Sequence, residues 1–106
     1  MENTIKFQDL IRGKKPLLVD FYASWCSPCK MMQPVLQELV SMVGNEVKVI
    51  KIDVEKNPQI ARSLRIQGVP TLILFQQGEI LWRQSGLVSA QHLAQVIQKH
   101  SKKIPV

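Results

Sequence analysis

The feature that most constrains the fold is the alternation, along the chain, of short apolar segments with segments of helical period. Short apolar or β-branched segments, typical of strands, lie at 17–22, 47–54, 71–75 and 80–84. Helices are predicted, from apolar residues at helical spacing or from a cap residue at the start, at 5–13, 29–43, 57–64 and 89–97. The predicted order is therefore helix, strand, helix, strand, helix, strand, strand, helix.

This order predicts an α/β domain. Strands that are separated by helices imply right-handed crossovers and parallel pairing, whereas the last two strands, joined at Gln77 and Gly78, form an antiparallel hairpin. We therefore expect a mixed sheet with helices on both faces. No repeat, linker or low-complexity segment divides the chain, so residues 1–106 are expected to form one domain.

The charge and hydropathy of the chain bear on its partners. The net charge is +6, but the cations lie mostly near the ends, without interleaved aromatic residues, at Arg12, Lys14, Lys15, Lys99, Lys102 and Lys103. Such a distribution is typical of a solvated face, so no nucleic-acid partner is expected. No apolar run reaches the roughly eighteen residues of a membrane span, and the first residues show no basic flank followed by an apolar stretch. We therefore expect no signal peptide, and a cytoplasmic protein without membrane contact.

The two cysteines, Cys26 and Cys29, are the only ones in the chain. A disulfide that closes so short a loop does little to hold a fold together, so the pair is expected to serve chemistry rather than scaffolding. A zinc site is the alternative, but it would need two further ligands. No second Cys-x-x-Cys is present, and His92 and His100 are too far apart to share one helical face at ligand spacing, so no metal is expected.

The cysteine pair lies where a predicted strand ends and a predicted helix begins. Unpaired N–H groups and the helix dipole stabilise a thiolate there, so Cys26 should be the reactive, exposed sulfur. Cys29 lies about one turn further on the same face, roughly 5–6 Å away at the β-carbon. Pro28 is compatible with the first helical turn, which needs no N–H. This arrangement predicts disulfide exchange, in which Cys26 attacks and Cys29 resolves the mixed disulfide.

Asp20 is a carboxylate within an otherwise apolar predicted strand. If it is buried, its pKa rises and it can accept the proton that Cys29 must lose. If it lies near the strand end, it is simply solvated. Lys51 is either its partner across the sheet or a strand lysine facing water. The residues alone leave both alternatives open.

Beyond these local patterns, a longer stretch of sequence resembles a known family. Residues 19–30, which contain Trp-Cys-Ser-Pro-Cys-Lys, resemble the active-site segment of the thioredoxin family. The resemblance continues in register over nearly the whole chain, at Pro34, 49–53, 57–58, 68–71, Phe75, Gly78 and Gly86. It implies a thioredoxin fold, with a central mixed sheet of four or five strands and helices on both faces.

The resemblance also implies residue roles. Cys26 would be the nucleophile and Cys29 the resolving thiol, with Asp20 the buried acid behind them and Lys51 near it. Pro70 would follow a cis peptide bond, and the backbone of Val69 would pair with an extended substrate segment. The residues implied in substrate binding are Trp25, Ser27, Pro28, Gly68, Val69, Pro70 and Gly86.

The family resemblance implies a monomer without a cofactor that accepts electrons from a thioredoxin-reductase-like donor and reduces protein disulfides. Ser27 departs from the usual glycine, and Tyr22 stands where tryptophan is common. The family's first strand is either missing or reduced to residues near 4–6. A disulfide oxidant or isomerase of the same fold, and a redox-dependent protein-binding module, are the alternative functions.

Overall fold

The computed structural model describes residues 6–103 and contains the predicted elements in the predicted order. Their bounds are α1 Phe7–Ile11, β1 Leu17–Tyr22, α2 Ser27–Val43, a 3-10 turn Gly44–Glu46, β2 Lys48–Asp53, α3 Pro58–Ser63, β3 Thr71–Gln76, β4 Glu79–Ser85 and α4 Ala90–His100. The strand expected near residues 4–6 lies largely outside the described residues, and Lys6 is the N-cap of α1. Within the described part of the chain, no helix is long and apolar enough to cross a membrane.

The four strands form one sheet in the order β2-β1-β3-β4. β1 and β2 are parallel, as predicted, whereas β3 is antiparallel to β1 and β4 is antiparallel to β3. The expectation that a helical connection makes β3 parallel is therefore wrong. α3 has six residues, which span about 9 Å, too short to return along a strand of about 20 Å. The chain therefore re-enters the sheet at the end where β2 finished.

The sheet separates two apolar layers, as expected for helices on both faces. Leu17, Val19 and Phe21 of β1 belong to the layer that α1 and α3 cover. Leu18 belongs to the other layer, under α2 and α4, and alternation along the strand places Asp20 on that same face. The face of β1 that packs on α2 thus carries a carboxylate toward the helix that begins at the cysteines.

The predicted cap residues Ser89 and Asn57, at the starts of α4 and α3, make different hydrogen bonds. Ser89 accepts a hydrogen bond at its Oγ from the N–H of His92, 3.1 Å away, and so caps α4 as predicted. Asn57 occupies the N-cap position of α3, but its side chain does not cap the helix. Its Nδ2 instead donates to the carbonyl of Asp53 at 3.0 Å, which ties α3 to the end of β2.

Gln76, the last residue of β3, connects the segment before β1 to the segment after α4. Its side chain is buried, with 1% exposure, and its Nε2 donates to the carbonyls of Lys14 at 2.8 Å and Lys102 at 2.9 Å. Its Oε1 accepts the N–H of Lys102 at 2.7 Å. One side chain thus satisfies three backbone groups of the segments before β1 and after α4.

Replacing Gln76 should therefore destabilise the fold. Gln76→Leu keeps the volume but leaves three backbone groups without their partner, at about 1–3 kcal/mol for each group that stays buried. We expect the free energy of unfolding, measured by urea denaturation, to fall by about 2–5 kcal/mol. Gln84→Leu is the matched control, because Gln84 is exposed on β4 and makes no side-chain hydrogen bond among the described residues. Equal losses in the two variants would contradict this account.

Candidate active site

Cys26 and Cys29 lie at the start of α2 and are joined by a disulfide bond, with their Cα atoms 5.2 Å apart. Cys26 is the N-cap residue in an extended conformation, and Cys29 is in the first helical turn. β1 ends at Tyr22, so only a short connection separates the central strand from this helix. The predicted location of the pair at a strand-to-helix junction is confirmed.

Two backbone groups point at the sulfur of Cys26. The N–H of Cys29 donates to Cys26 Sγ at 3.1 Å, so the sulfur takes the place that a serine or aspartate oxygen has in an ordinary N-cap. The carbonyl oxygen of Val69 lies 3.6 Å from the same atom. An N–H donor at a helix N-terminus favours a negative charge on this sulfur.

Both cysteines are buried, each with 3% exposure. The prediction that Cys26 is an exposed sulfur is therefore wrong for this oxidised state. Cys26, Cys29 and Ala23 form an apolar cluster against which Val69 and other side chains pack. The burial arises because a loop distant in sequence covers the pair, which local helix geometry cannot indicate.

The loop that covers the disulfide contains a cis peptide bond between Val69 and Pro70, as the family resemblance implies. The Thr71 hydroxyl donates to the carbonyl of Gly68 at 2.6 Å, and the N–H of Gly86 donates to the carbonyl of Pro70 at 2.8 Å. Gly86 has a φ of +94°, which side-chain-bearing residues rarely adopt. Gly68, Val69, Pro70 and Gly86 are thus brought together beside Cys26.

Trp25, Ser27 and Pro28, the sequence neighbours of the two cysteines, are exposed. The Trp25 indole is 67% exposed, and its Nε1 donates to Glu55 Oε2 at 3.1 Å. Sequence reasoning missed Glu55. The signal that could have found it is its position just after β2, because the carboxyl ends of the parallel strands β1 and β2 meet at one edge of the sheet.

Asp20 is fully buried, with 0% exposure, and neither carboxylate oxygen has a hydrogen-bond partner among residues 6–103. The alternative in which it is solvated is therefore wrong. Burial raises its pKa from 3.8 to about 6, and the positive charge of Lys51 partly opposes this rise. Asp20 and Lys51 are register partners in the parallel pair β1–β2, so the predicted proximity is confirmed.

Lys51 also fits the second alternative, a strand lysine facing water, because it is exposed. Its Nζ lies 4.6 Å from the centroid of the Tyr22 ring, an arrangement favourable for a cation–π contact. A cavity of about 170 Å³ opens beside Lys51 and reaches Cys29; it is lined by Tyr22, Ala23, Ser24, Cys29, Lys30, Gln33 and Lys51. Cys29 is therefore next to a space that can hold water.

The described residues contain no group of three or more His, Cys, Asp or Glu side chains that could hold a metal ion. The features that the site does contain are a two-cysteine disulfide at a helix N-terminus, a buried acid and a cis-proline loop over the sulfurs. A reversible disulfide with one sulfur activated by the helix is suited to exchange with other disulfides. Fold and site together define a thiol–disulfide oxidoreductase.

The chain belongs to the thioredoxin family, whose family model matches residues 1–99. It is 45% identical over 93 residues to a thioredoxin-like protein of Synechocystis, across 87% of this chain and 89% of that protein. It is 42% identical over 99 residues to a bifunctional thioredoxin reductase/thioredoxin of Mycobacterium leprae, and this match covers 93% of the chain but 21% of that longer protein.

A solved structure gives the same assignment. The crystal structure of oxidised mitochondrial thioredoxin 3 from Saccharomyces cerevisiae matches with a TM-score of 0.78 and 35% identity, over 88% of this chain and 86% of that one. Members of this family are protein-disulfide reductases that work with thioredoxin reductase and protein disulfide substrates. The chain is an enzyme of this class.

Burial of Asp20 should make stability depend on pH. The folded carboxyl, with its pKa raised to about 6, binds protons more tightly than the unfolded one at 3.8. The contribution of this carboxyl to the free energy of unfolding is therefore fully present below pH 3.8. It is lost as the pH rises through 6, by about 3 kcal/mol in all. Urea denaturation of the oxidised protein between pH 4 and 7 should show this loss. Asp20→Asn should lack it, and parallel pH profiles of the two proteins would contradict the assignment.

Proposed function

We propose that this chain reduces protein disulfides with Cys26 as the nucleophile and Cys29 as the resolving thiol. The observation that carries the proposal is the hydrogen bond from the N–H of Cys29 to Cys26 Sγ at 3.1 Å. It gives Cys26, and not Cys29, a donor at the helix N-terminus that stabilises a thiolate. The asymmetry between the two sulfurs thus assigns their order in the reaction.

In the first step, the Cys26 thiolate attacks one sulfur of the substrate disulfide. A new bond forms between Cys26 Sγ and that sulfur, the substrate S–S bond breaks, and the second substrate sulfur leaves as a thiolate that takes a proton from water. The product is a mixed disulfide. The carbonyl of Val69, 3.6 Å from Cys26 Sγ, lies where the backbone of an extended substrate segment can pair with it.

In the second step, Cys29 loses its proton and attacks Cys26 Sγ, which releases the remaining substrate thiolate and leaves the Cys26–Cys29 disulfide. Two electrons have then passed from the cysteine pair to the substrate. We assign Asp20 as the proton acceptor, because a buried carboxyl with a pKa near 6 can take and return a proton around neutral pH. The cavity beside Cys29 and Lys51 has room for water next to the thiol that loses this proton.

A thioredoxin-reductase-like donor would return two electrons to the disulfide. The relative from Mycobacterium leprae, by its name, unites both activities in one protein, which supports this partnership. Substrate would dock on the surface around the disulfide, formed by Trp25, Ser27, Pro28, Gly68, Val69, Pro70 and Gly86. These residues combine apolar contact area with the backbone of Val69 in the cis-proline loop.

We further propose that residues 1–106 act as one domain, as a monomer without a nucleic-acid partner, in the cytoplasm. The yeast relative is mitochondrial by its name, so location varies within the family. A fluorescent fusion and light scattering test location and oligomeric state. The oxidant, isomerase and binding-module alternatives are not favoured, because the relatives are thioredoxins.

The order of the two cysteines can be tested by trapping. Cys29→Ser should attack a disulfide substrate such as insulin but fail to resolve, so a mixed disulfide through Cys26 should accumulate and be visible by mass spectrometry. Cys26→Ser should lose turnover by about a thousandfold or more, because the activated thiolate is gone. The double serine variant controls for non-covalent capture. Trapping through Cys29 in the Cys26→Ser variant, at equal yield, would reverse the assignment.

The role of Asp20 can be tested on the separate steps. Asp20→Asn should slow the resolving step at pH 7 by about tenfold or more, and the first attack much less, because only Cys29 depends on the buried base. Rapid quenching with an alkylating agent, followed by mass analysis, measures the two steps independently. Equal slowing of both steps would show that Asp20 acts on the site as a whole and not on Cys29.

A further inference from the structure

We infer that Arg83 is a positioning residue of the active site, which holds the loop 64–70 so that Val69 is presented to the substrate. Arg83 lies on β4, opposite Ile73 of β3. Its guanidinium donates through Nη1 to the carbonyl of Leu64 at 2.7 Å and through Nη2 to the carbonyl of Arg65 at 3.3 Å. The inference rests on the proposed role of Val69 in substrate docking.

The loop begins at an unusual helix end. At the end of α3, the N–H of Ile66 donates to the carbonyl of Ala61 and the N–H of Arg65 to that of Arg62. This is the Schellman arrangement, in which the residue in the left-handed conformation is usually glycine. Here it is Arg65, with a φ of +54°. A residue with a side chain is strained in this conformation, so the turn needs support from outside the helix.

Arg83 supplies that support. The Schellman hydrogen bonds leave the carbonyls of Leu64 and Arg65 without helical partners, and the guanidinium of Arg83 donates to both of these carbonyls. A cation at the carboxyl end of a helix is also favourable for the helix dipole. A fork of two N–H donors on adjacent carbonyls fixes both the position and the orientation of the backbone as it leaves α3.

β4 holds the other end of the loop as well. The Ser85 hydroxyl lies 2.8 Å from Thr71 Oγ1, and because the Thr71 hydroxyl donates to the carbonyl of Gly68, Ser85 is the donor of this pair. The N–H of Gly86 holds the carbonyl of Pro70. The loop is therefore attached to one strand at both ends, and Val69 lies between these attachments.

This arrangement predicts an effect that depends on the substrate. A protein substrate needs the backbone of Val69 in register, whereas a small disulfide needs only the sulfur of Cys26. Loss of the Arg83 fork should therefore weaken binding of protein substrates and spare the exchange chemistry. A role for Arg83 in stability alone would lower the midpoint of denaturation without separating the two kinds of substrate.

The experiment compares Arg83→Gln, Arg83→Lys and Arg62→Gln in the full chain, with insulin and hydroxyethyl disulfide as substrates. Arg62 is the matched control, because it is an exposed arginine in the last turn of α3 without a side-chain hydrogen bond among the described residues. Arg83→Gln should raise KM for insulin by about three- to tenfold, with kcat and the rate with hydroxyethyl disulfide nearly unchanged. Arg62→Gln should match the unmodified protein.

Arg83→Lys tests whether the two hydrogen bonds of the guanidinium are required or only its positive charge. Lysine keeps the charge but can hold only one carbonyl in a fixed geometry, so an intermediate KM supports the fork. Full rescue by lysine would show that charge alone matters and would overturn the proposal, as would an unchanged KM in Arg83→Gln or equal slowing of both substrates.

Amide exchange over residues 64–70 provides a readout independent of substrate. It should be faster in Arg83→Gln than in Arg62→Gln, and equal exchange in the two would also overturn the inference. If the unmodified chain failed to reduce insulin, the proposed function would fail, whereas the exchange result would still decide whether Arg83 holds the loop.

Discussion

Every part of this molecule depends on the burial of β1 between two strands and two layers of helices. β1 pairs with β2 on one side and β3 on the other, and its alternate residues face the two apolar layers. A strand so completely enclosed has a well-defined position, and the cysteines follow it after a short connection. The strand therefore sets where α2 begins, and with it the N–H group that faces Cys26 Sγ.

The same burial creates a conflict between stability and chemistry. Nearly all of β1 is apolar, yet Asp20 lies in it without a hydrogen-bond partner for either oxygen. An isolated carboxyl in such a place costs stability when it is charged, and its raised pKa is the measure of that cost. A group that destabilises its own fold in this way is expected where a proton must be moved, as in the resolving step.

Much of the fold and of the site could be predicted from the sequence, where the responsible forces are local. The period of apolar residues located the helices and strands, and the strand-to-helix junction located Cys26 and Cys29 at a helix N-terminus. The predictions failed where distant segments meet. The direction of β3 depends on how short α3 is in space, and the burial of Cys26 depends on Val69, which no local pattern places above it. Glu55 and Arg83 were missed for the same reason, since their partners Trp25, Leu64 and Arg65 are far away in sequence.

Local sequence patterns are enough to identify an α/β protein with a reactive cysteine pair, because hydrophobic period and spacing along a helix are properties of neighbouring residues. The groups that surround that pair are known only from the folded chain. The burial, hydrogen bonds and charges around the sulfurs and around Asp20 come from several segments that the sheet brings together. The pKa of Asp20 and the position of Val69 therefore depend on the folded chain as a whole, and no short segment of it contains that information.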